Sequence, residues 1–300
     1  MRNAFITTLM ACAESDSKIF LIVGDLGFSV VEPFAKKFPE RFLNAGVAEQ
    51  NLTGVAAGLA MAGYKVFTYS IANFPTLRCL EQIRNDICYH HLNVTIVTVG
   101  GGLGYGPLGY SHHAVQDIAC LRTFPGILMA TPGDQNETIA VTQALIRYDG
   151  PAYLRLGKGG EPSGAGECSI SDVGIRLIES SGDSILLFCG GLLGFAAPLA
   201  KACHAGLASI PLWTNDERTK KLIQDFVAKY RRVVVVEEHL AAGGFGSFVR
   251  EALESKPHLQ GIVRCCALDA SVCGQVGTQD QLRNAGGLNI DSIRQAFMEN

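Results

Sequence analysis

The run Val94-Thr-Ile-Val-Thr-Val99 is β-branched at every position, carries no charge, and is followed at once by Gly100-Gly101-Gly102. A strand that is apolar throughout, with turn residues at its C-terminal end, must be covered on both faces, as strands of a parallel sheet are. The same pattern repeats on either side of it. Ile19-Phe-Leu-Ile-Val23 ends in Gly24-Asp25, Lys65-Val-Phe-Thr-Tyr-Ser70 is a further strand, and Gly126-Ile-Leu-Met-Ala-Thr131 stops at Pro132-Gly133-Asp134. Helix patterns cover 3–15, 49–62, 75–90 and 134–147. Strand–helix alternation predicts an α/β, doubly wound domain. A polar, Gly-rich stretch over 157–171 then reads as a connection. Beyond it, strands over 184–189, about 207–212, 232–237 and 261–265 alternate with helices over 194–205, 215–229 and 243–254. The predicted organisation is a first parallel-sheet domain over 1–165, a linker over 166–180, and a smaller C-terminal α/β domain over 181–300.

Composition removes other classes. The chain is 48% hydrophobic and 18% charged with a formal charge of −3, so it is neither disordered nor built on a basic nucleic-acid-binding stripe. No apolar run approaches the length of a membrane span, and the N-terminus has no apolar signal core, so a cytoplasmic protein is expected. The ten cysteines are scattered through apolar runs without a CxxC pair and read as free buried thiols. The histidines show no HxxxH or HExxH spacing, which argues against a metal held by this chain alone.

Two glycine-rich turns that follow strands invite a phosphate-site reading. Gly104-Tyr-Gly106-Pro-Leu-Gly109 matches GxGxxG in letters, but Pro107 and the polar Tyr110-Ser-His-His113 stretch interrupt the helix start that a dinucleotide site needs. Gly243-Gly-Phe-Gly246 is either a phosphate turn or a place of close helix–sheet packing, and packing is the stronger reading. The most informative stretch is Arg41-Phe-Leu-Asn-Ala-Gly-Val-Ala-Glu49, continuing through 50–62 without one charged residue. A helix so bare of charge is expected to be packed on nearly all sides. Its lone acid, Glu49, is either a first-turn residue favoured by the helix dipole or a buried carboxylate kept for proton chemistry.

The run Asn44-Ala-Gly-Val-Ala-Glu-Gln-Asn51 resembles the pyrimidine-binding domain of transketolase-like thiamine diphosphate enzymes. Gly24-Asp-Leu26, the FPTLRCLEQIRND stretch over 74–86, Gly109-Tyr-Ser-His112 and the ATPGDQNE stretch over 130–137 agree in order and spacing. The segments over 150–158 and 236–246 extend the resemblance, the latter to the family's C-terminal domain.

The resemblance implies a role for particular residues. Glu49 falls on the glutamate that hydrogen-bonds the ring nitrogen of the cofactor's aminopyrimidine, and Phe74, shifted by one residue against the family's pattern, is the candidate for the aromatic residue that stacks there. Asp25 and Arg78 are placed near the cofactor. His112 matches a histidine beside the ketose hydroxyls that can move protons. Arg2, Ser29 and Lys158 fall on positions that grip a sugar phosphate, Lys158 replacing the usual arginine. Where transketolases carry another histidine and a hydroxyl-reading aspartate, this chain has Gly100 and Leu108.

The family's diphosphate-binding signature, Gly-Asp-Gly…Asn, does not occur in the chain. The resemblance therefore implies the second half of a split transketolase, whose N-terminal subunit supplies the diphosphate site and its Mg²⁺ or Ca²⁺. A two-plus-two heterotetramer is expected, transferring a two-carbon ketol unit between sugar phosphates. Three rivals remain: a beta subunit of a thiamine-dependent 2-oxo acid dehydrogenase, a non-catalytic subunit of the same fold, and, weakest, a nicotinamide dehydrogenase.

Overall fold

The computed structural model describes residues 1–164, 168–170 and 172–298. Strand β1 (Ile19–Val23) lies between β2 (Phe42–Asn44) and β3 (Lys65–Ile71), and β4 (Val94–Val99), β5 (Leu128–Ala130) and β6 (Ala152–Leu156) extend the sheet in the order β2-β1-β3-β4-β6-β5. All these pairings are parallel. The second unit contributes β7 (Gly174–Glu179), β8 (Ser184–Cys189), β9 (Gly206–Trp213), β10 (Arg232–Leu240) and β11 (Val263–Leu268), with β9-β8-β10-β11 parallel and β7 antiparallel on β9. An antiparallel seam between β5 and β9 joins the two into one 11-stranded sheet.

The both-faces-covered reading holds: β4, β5, β6 and β9 are buried at every position. On one face, α1 (Arg2–Ser15) packs with the helix over Gln135–Arg147 around Phe5, Leu9, Val141 and Leu145. On the other face, α2 (Glu49–Met61) shares a continuous apolar layer with the helices Glu217–Val227 and Phe245–Ala252 of the second unit.

Three features depart from the sequence reading. Strand β7 lies inside the stretch assigned to the linker; residues 165–167 and 171 of that connection lie outside the described residues. The helix expected over 75–90 is a composite, a 3-10 turn (Leu77–Cys79) running through Leu80–Gln82 into a π turn (Ile83–Cys88). And α2 is packed on one face only. Glu49, Leu52, Thr53, Ala56 and Ala57 are buried at helical spacing, while a Cβ at Gly54 or Gly58 would meet nothing within 4 Å.

All ten cysteines are free thiols. No helix among the described residues is long and apolar enough to cross a membrane.

Candidate active site

Glu49 opens α2 and is only 2% exposed. Its Oε2 accepts a hydrogen bond from Arg78 Nη1 at 2.6 Å. Its Oε1 is buried and has no partner among the described residues. Leaving a buried acceptor unmet costs about 1–3 kcal/mol, so the pocket suits a ligand that brings a donor. The pyrimidine of thiamine diphosphate fits this demand in its protonated or imino form, which carries an N–H on the ring nitrogen.

From Glu49 the site continues as a chain of contacts. The Arg78 guanidinium lies 5.0 Å from the centre of the Phe74 ring. Phe74 meets His112 edge-on at 5.2 Å, and His112 meets Tyr105 at 6.2 Å. Lys158 Nζ lies 4.9 Å from the centre of the Tyr105 ring. Sequence reading therefore named five residues, Glu49, Phe74, Arg78, His112 and Lys158, that the fold brings into one line, and missed Tyr105 between the last two. Arg2 belongs to the same neighbourhood, close enough for its charge to oppose the burial-driven rise of the Tyr69 and Tyr105 phenols.

The loop holding His112 is fixed from both sides. Asn73 Nδ2 donates to the carbonyl oxygens of Ser111 and His113 at 3.2 and 2.8 Å. Glu238 of β10, 3% exposed, accepts from Leu103 N at 2.6 Å and is paired with Arg283. Burial, and then the charge of neighbouring His113, hold the His112 imidazole below its ordinary value. His112 is thus a neutral base near pH 7, and its Nδ1 is 2.9 Å from Ser111 Oγ.

Asp25 and Ser29 lie in the turn after β1, which approaches Glu49 at Gly24, where a Cβ would stand 3.8 Å from Glu49 Cγ. Asp25 accepts from Asn44 Nδ2 at 2.9 Å, and its own N–H donates to Asn44 Oδ1 at 3.1 Å. Both Asp25 and Ser29 have positive φ, 55° and 64°. Ser29 N donates to Glu32 Oε1 at 2.7 Å.

The two other glycine-rich readings are resolved by geometry. Residues Gly106–Leu108 and Tyr110–His112 form two 3-10 turns, so no α-helix opens on the GxGxxG match. At 243–246 the acceptor is the protein's own: buried Glu237, whose carboxyl burial pushes above its usual range, accepts from Phe245 N and Gly246 N at 2.6 and 2.7 Å, and a Cβ at Gly244 would collide with its carboxyl group. Close packing is the correct reading there. Beneath the His112 loop, Asp117 and Arg155 form a fully buried pair at 2.7 Å. Burial alone would raise the Asp117 carboxyl, but Arg155 and His239 hold it below the usual range. Among the described residues no group of three His, Cys, Asp or Glu could hold a metal ion.

Comparison with known proteins identifies the family. The transketolase pyrimidine-binding domain matches residues 1–161, and the transketolase C-terminal domain matches residues 212–293. One of the subunits of the apulose-4-phosphate transketolase of Phocaeicola vulgatus is 34% identical over 85% of this chain and 84% of its own length. A putative transketolase C-terminal section of Methanocaldococcus jannaschii is 33% identical over 100% of this chain and 95% of its own. A solved split-gene transketolase, described as an inactive β4 tetramer, superposes with a TM-score of 0.85 at 29% identity, covering 99% of this chain and 96% of that one. The chain belongs to the transketolase family.

Proposed function

We propose that this chain is the pyrimidine-binding and C-terminal half of a split transketolase, moving a two-carbon ketol unit from a ketose phosphate to an aldose. The observation that carries the reading is Glu49, a buried carboxylate with one oxygen held by Arg78 and the other unpartnered, in line with Phe74 and His112. Thiamine diphosphate, when bound, supplies the carbon nucleophile that takes up the two-carbon unit. Glu49 Oε1 would share a proton with the ring nitrogen of the aminopyrimidine, favouring its imino form, and Phe74 would flank that ring. Arg78 fixes the Glu49 carboxylate. His112, neutral near pH 7, would take and return a proton at the substrate hydroxyls. Arg2 and Lys158 would hold the phosphate by charge. Asp25 and Ser29 would border the site only through the turn after β1.

The partner would be an N-terminal transketolase subunit bearing the diphosphate site and its Mg²⁺ or Ca²⁺, in a two-plus-two heterotetramer in the cytoplasm. The open outer face of α2, with Gly54 and Gly58 clear of neighbours, is the surface such a partner would cover. The division 1–165, 166–180 and 181–300 remains our proposal for the domain limits. The test is to pull the chain from its native extract at low salt, identify what co-purifies, and assay the pair with ketose phosphates. A partner of similar size bearing Gly-Asp-Gly…Asn, together with ketol transfer, is expected. A lipoyl-bearing partner, or tight cofactor binding by the chain alone, would overturn the split transketolase.

A further inference from the structure

Asn73 joins two segments of the site that arise from neighbouring strands. It follows β3 and directly precedes Phe74, while the carbonyls it holds belong to the loop after β4. Its Nδ2 reaches the oxygens of Ser111 and His113, the residues on either side of His112. Two carbonyls can only accept, so the amide nitrogen has to face them and both of its hydrogens are committed there. The Oδ1 atom, buried and without a partner among the described residues, adds no competing bond.

The two ends of this bridge are unequal. The Asn73 end is fixed on its own account: Phe74 N donates to Ile71 O at 2.9 Å, and buried Thr76 donates from Oγ1 to Ala72 O at 2.5 Å. The His112 end is a single 3-10 turn, a geometry with poor internal bonding. Among the described residues, the other hydrogen bonds of Gly109 to His113 stay within the same loop: His112 N to Gly109 O, His113 N to Tyr110 O, His113 Nε2 to Gly106 O. None of them ties the turn to Phe74, whose ring His112 meets edge-on at 5.2 Å.

We propose that Asn73 is a positioning residue of this site: by bridging the carbonyls around His112 to the chain at Phe74, it holds the imidazole at a fixed offset from that ring. That His112 moves protons rests on the functional reading above; the bridge itself does not. Proton transfer needs a reach of about 2.6–3.2 Å, and a displacement of about 1 Å costs on the order of 10²-fold in rate. Without the bridge the turn swings outward and the imidazole becomes more hydrated. The titratable and charged groups around His112 are His113 and Tyr105 of its own loop and, behind Phe74, the Arg78 guanidinium. A change at Asn73 leaves all three in the chain, so a shifted titration reports the position of the imidazole.

The first arm uses the full chain alone. NMR titration of isotope-labelled histidines, with the His112 signal identified by its absence in His112→Gln, reads the imidazole directly. In the parent it titrates below 6.5, held down first by burial. Asn73→Ala should move it upward toward that value, with the Tm within a few degrees of the parent. An unmoved titration in the folded variant overturns the proposal. If Asn73→Ala does not fold, Asn73→Ser, which keeps one donor, takes its place under the same criterion. The second arm uses the enzyme reconstituted with its partner. Asn73→Ala should lower kcat about 10–100-fold and move the acid limb of kcat/KM upward, since His112 has to be neutral to accept a proton. The thiamine diphosphate concentration for half activity should stay within about threefold, because the Phe74 turn keeps its own bonds. Equal losses of cofactor affinity and turnover, with the limb unmoved, assign Asn73 to the general scaffold and overturn the proposal. A shifted titration with unchanged turnover keeps the bridge and removes His112 from the reaction. Ketol transfer with an unmoved titration keeps the functional reading and removes the bridge.

Discussion

Glu49 and His112 are held in opposite ways, and the difference predicts how each responds to substitution. The Glu49 carboxylate is fixed by one strong ion pair to a half-exposed arginine, Arg78, and its second oxygen makes no bond. Glu49→Gln removes the negative charge with little change of shape. It should lower ketol transfer by the reconstituted enzyme about 10²–10⁴-fold, the range of a lost acid–base partner, while the folded chain keeps its Tm within a few degrees. Activity equal to the parent would make Glu49 a structural residue and revive a non-catalytic subunit. His112 is instead tuned by its setting. Burial and the charge of His113 both lower its pKa from the ordinary 6.5. The neutral, proton-accepting form is therefore retained as pH falls through 6.5, and the acid limb of kcat/KM should lie below that value. Replacing His113 with Gln removes one of the two lowering causes. The limb should then move upward, stopping short of 6.5 because burial remains. A pH–rate profile that is unmoved would separate His112 from the proton transfer.

At the scale of elements, α2 and the loop after β4 carry the site, and each is shaped by small residues for a different reason. On α2 the glycines face outward. Gly58→Leu adds helix propensity worth about 1 kcal/mol, so the isolated chain should be at least as stable in chemical denaturation. It should bind the N-terminal partner at least tenfold more weakly in a titration followed by sedimentation, because the added side chain meets the covering surface. In the loop, Gly100→Ala places a methyl against Tyr105 at positive φ and should cost about 1–3 kcal/mol in urea unfolding. Tyr105→Ala in the same chain should recover the steric part of that cost and leave the backbone part. These elements were unequally legible in the sequence. Ile19–Val23, Val94–Val99 and Ser184–Cys189 could be read to the residue, because a strand buried on both faces has no room for charged positions. Strand β6 was hidden by Arg155, whose charge is met by Asp117, 38 positions away, a contact no local pattern contains. Strand β7, Gly-Ile-Arg-Leu-Ile-Glu, is half-exposed and looked like linker. Glu49, Phe74 and His112 were legible through their motifs. Tyr105 was not, since in sequence it is one residue of a glycine-rich loop, and its role depends on where that loop folds back over Gly100.

For the whole molecule, the decisive place is the seam where two parallel sheets become one. Met129↔Trp213 and Ala130↔Leu212 register across it, and Thr131 extends the pairing by donating from N to Pro211 O and from Oγ1 to Ile210 O, each at 2.8 Å. The side chain of Trp213 adds a further tie. It is fully buried, stacks on Phe248 at 5.2 Å, packs against Phe245 at 5.3 Å, and donates from Nε1 to Thr131 Oγ1 at 3.2 Å. It thus ties the end of β5 to the helix over Phe245–Ala252 and closes the apolar layer that runs on to α2. The same seam carries the Gly100–His112 loop's support, because Glu238, which holds Leu103 N, belongs to the second unit. Integrity of the seam should therefore govern both cooperativity and the site. In the parent, urea unfolding followed by Trp fluorescence and by far-UV circular dichroism should give one coincident transition. Trp213→Phe should shift the midpoint modestly and keep a single step, since most of the packing survives. Trp213→Ala should cost about 3–5 kcal/mol, as large-to-small changes of buried aromatics do. It should also split the circular-dichroism transition in two as the units open separately. In the reconstituted enzyme the same variant should lose activity at urea concentrations below the first step. A single sharp transition for Trp213→Ala, displaced by less than about 1 kcal/mol, would mean that the units are joined elsewhere.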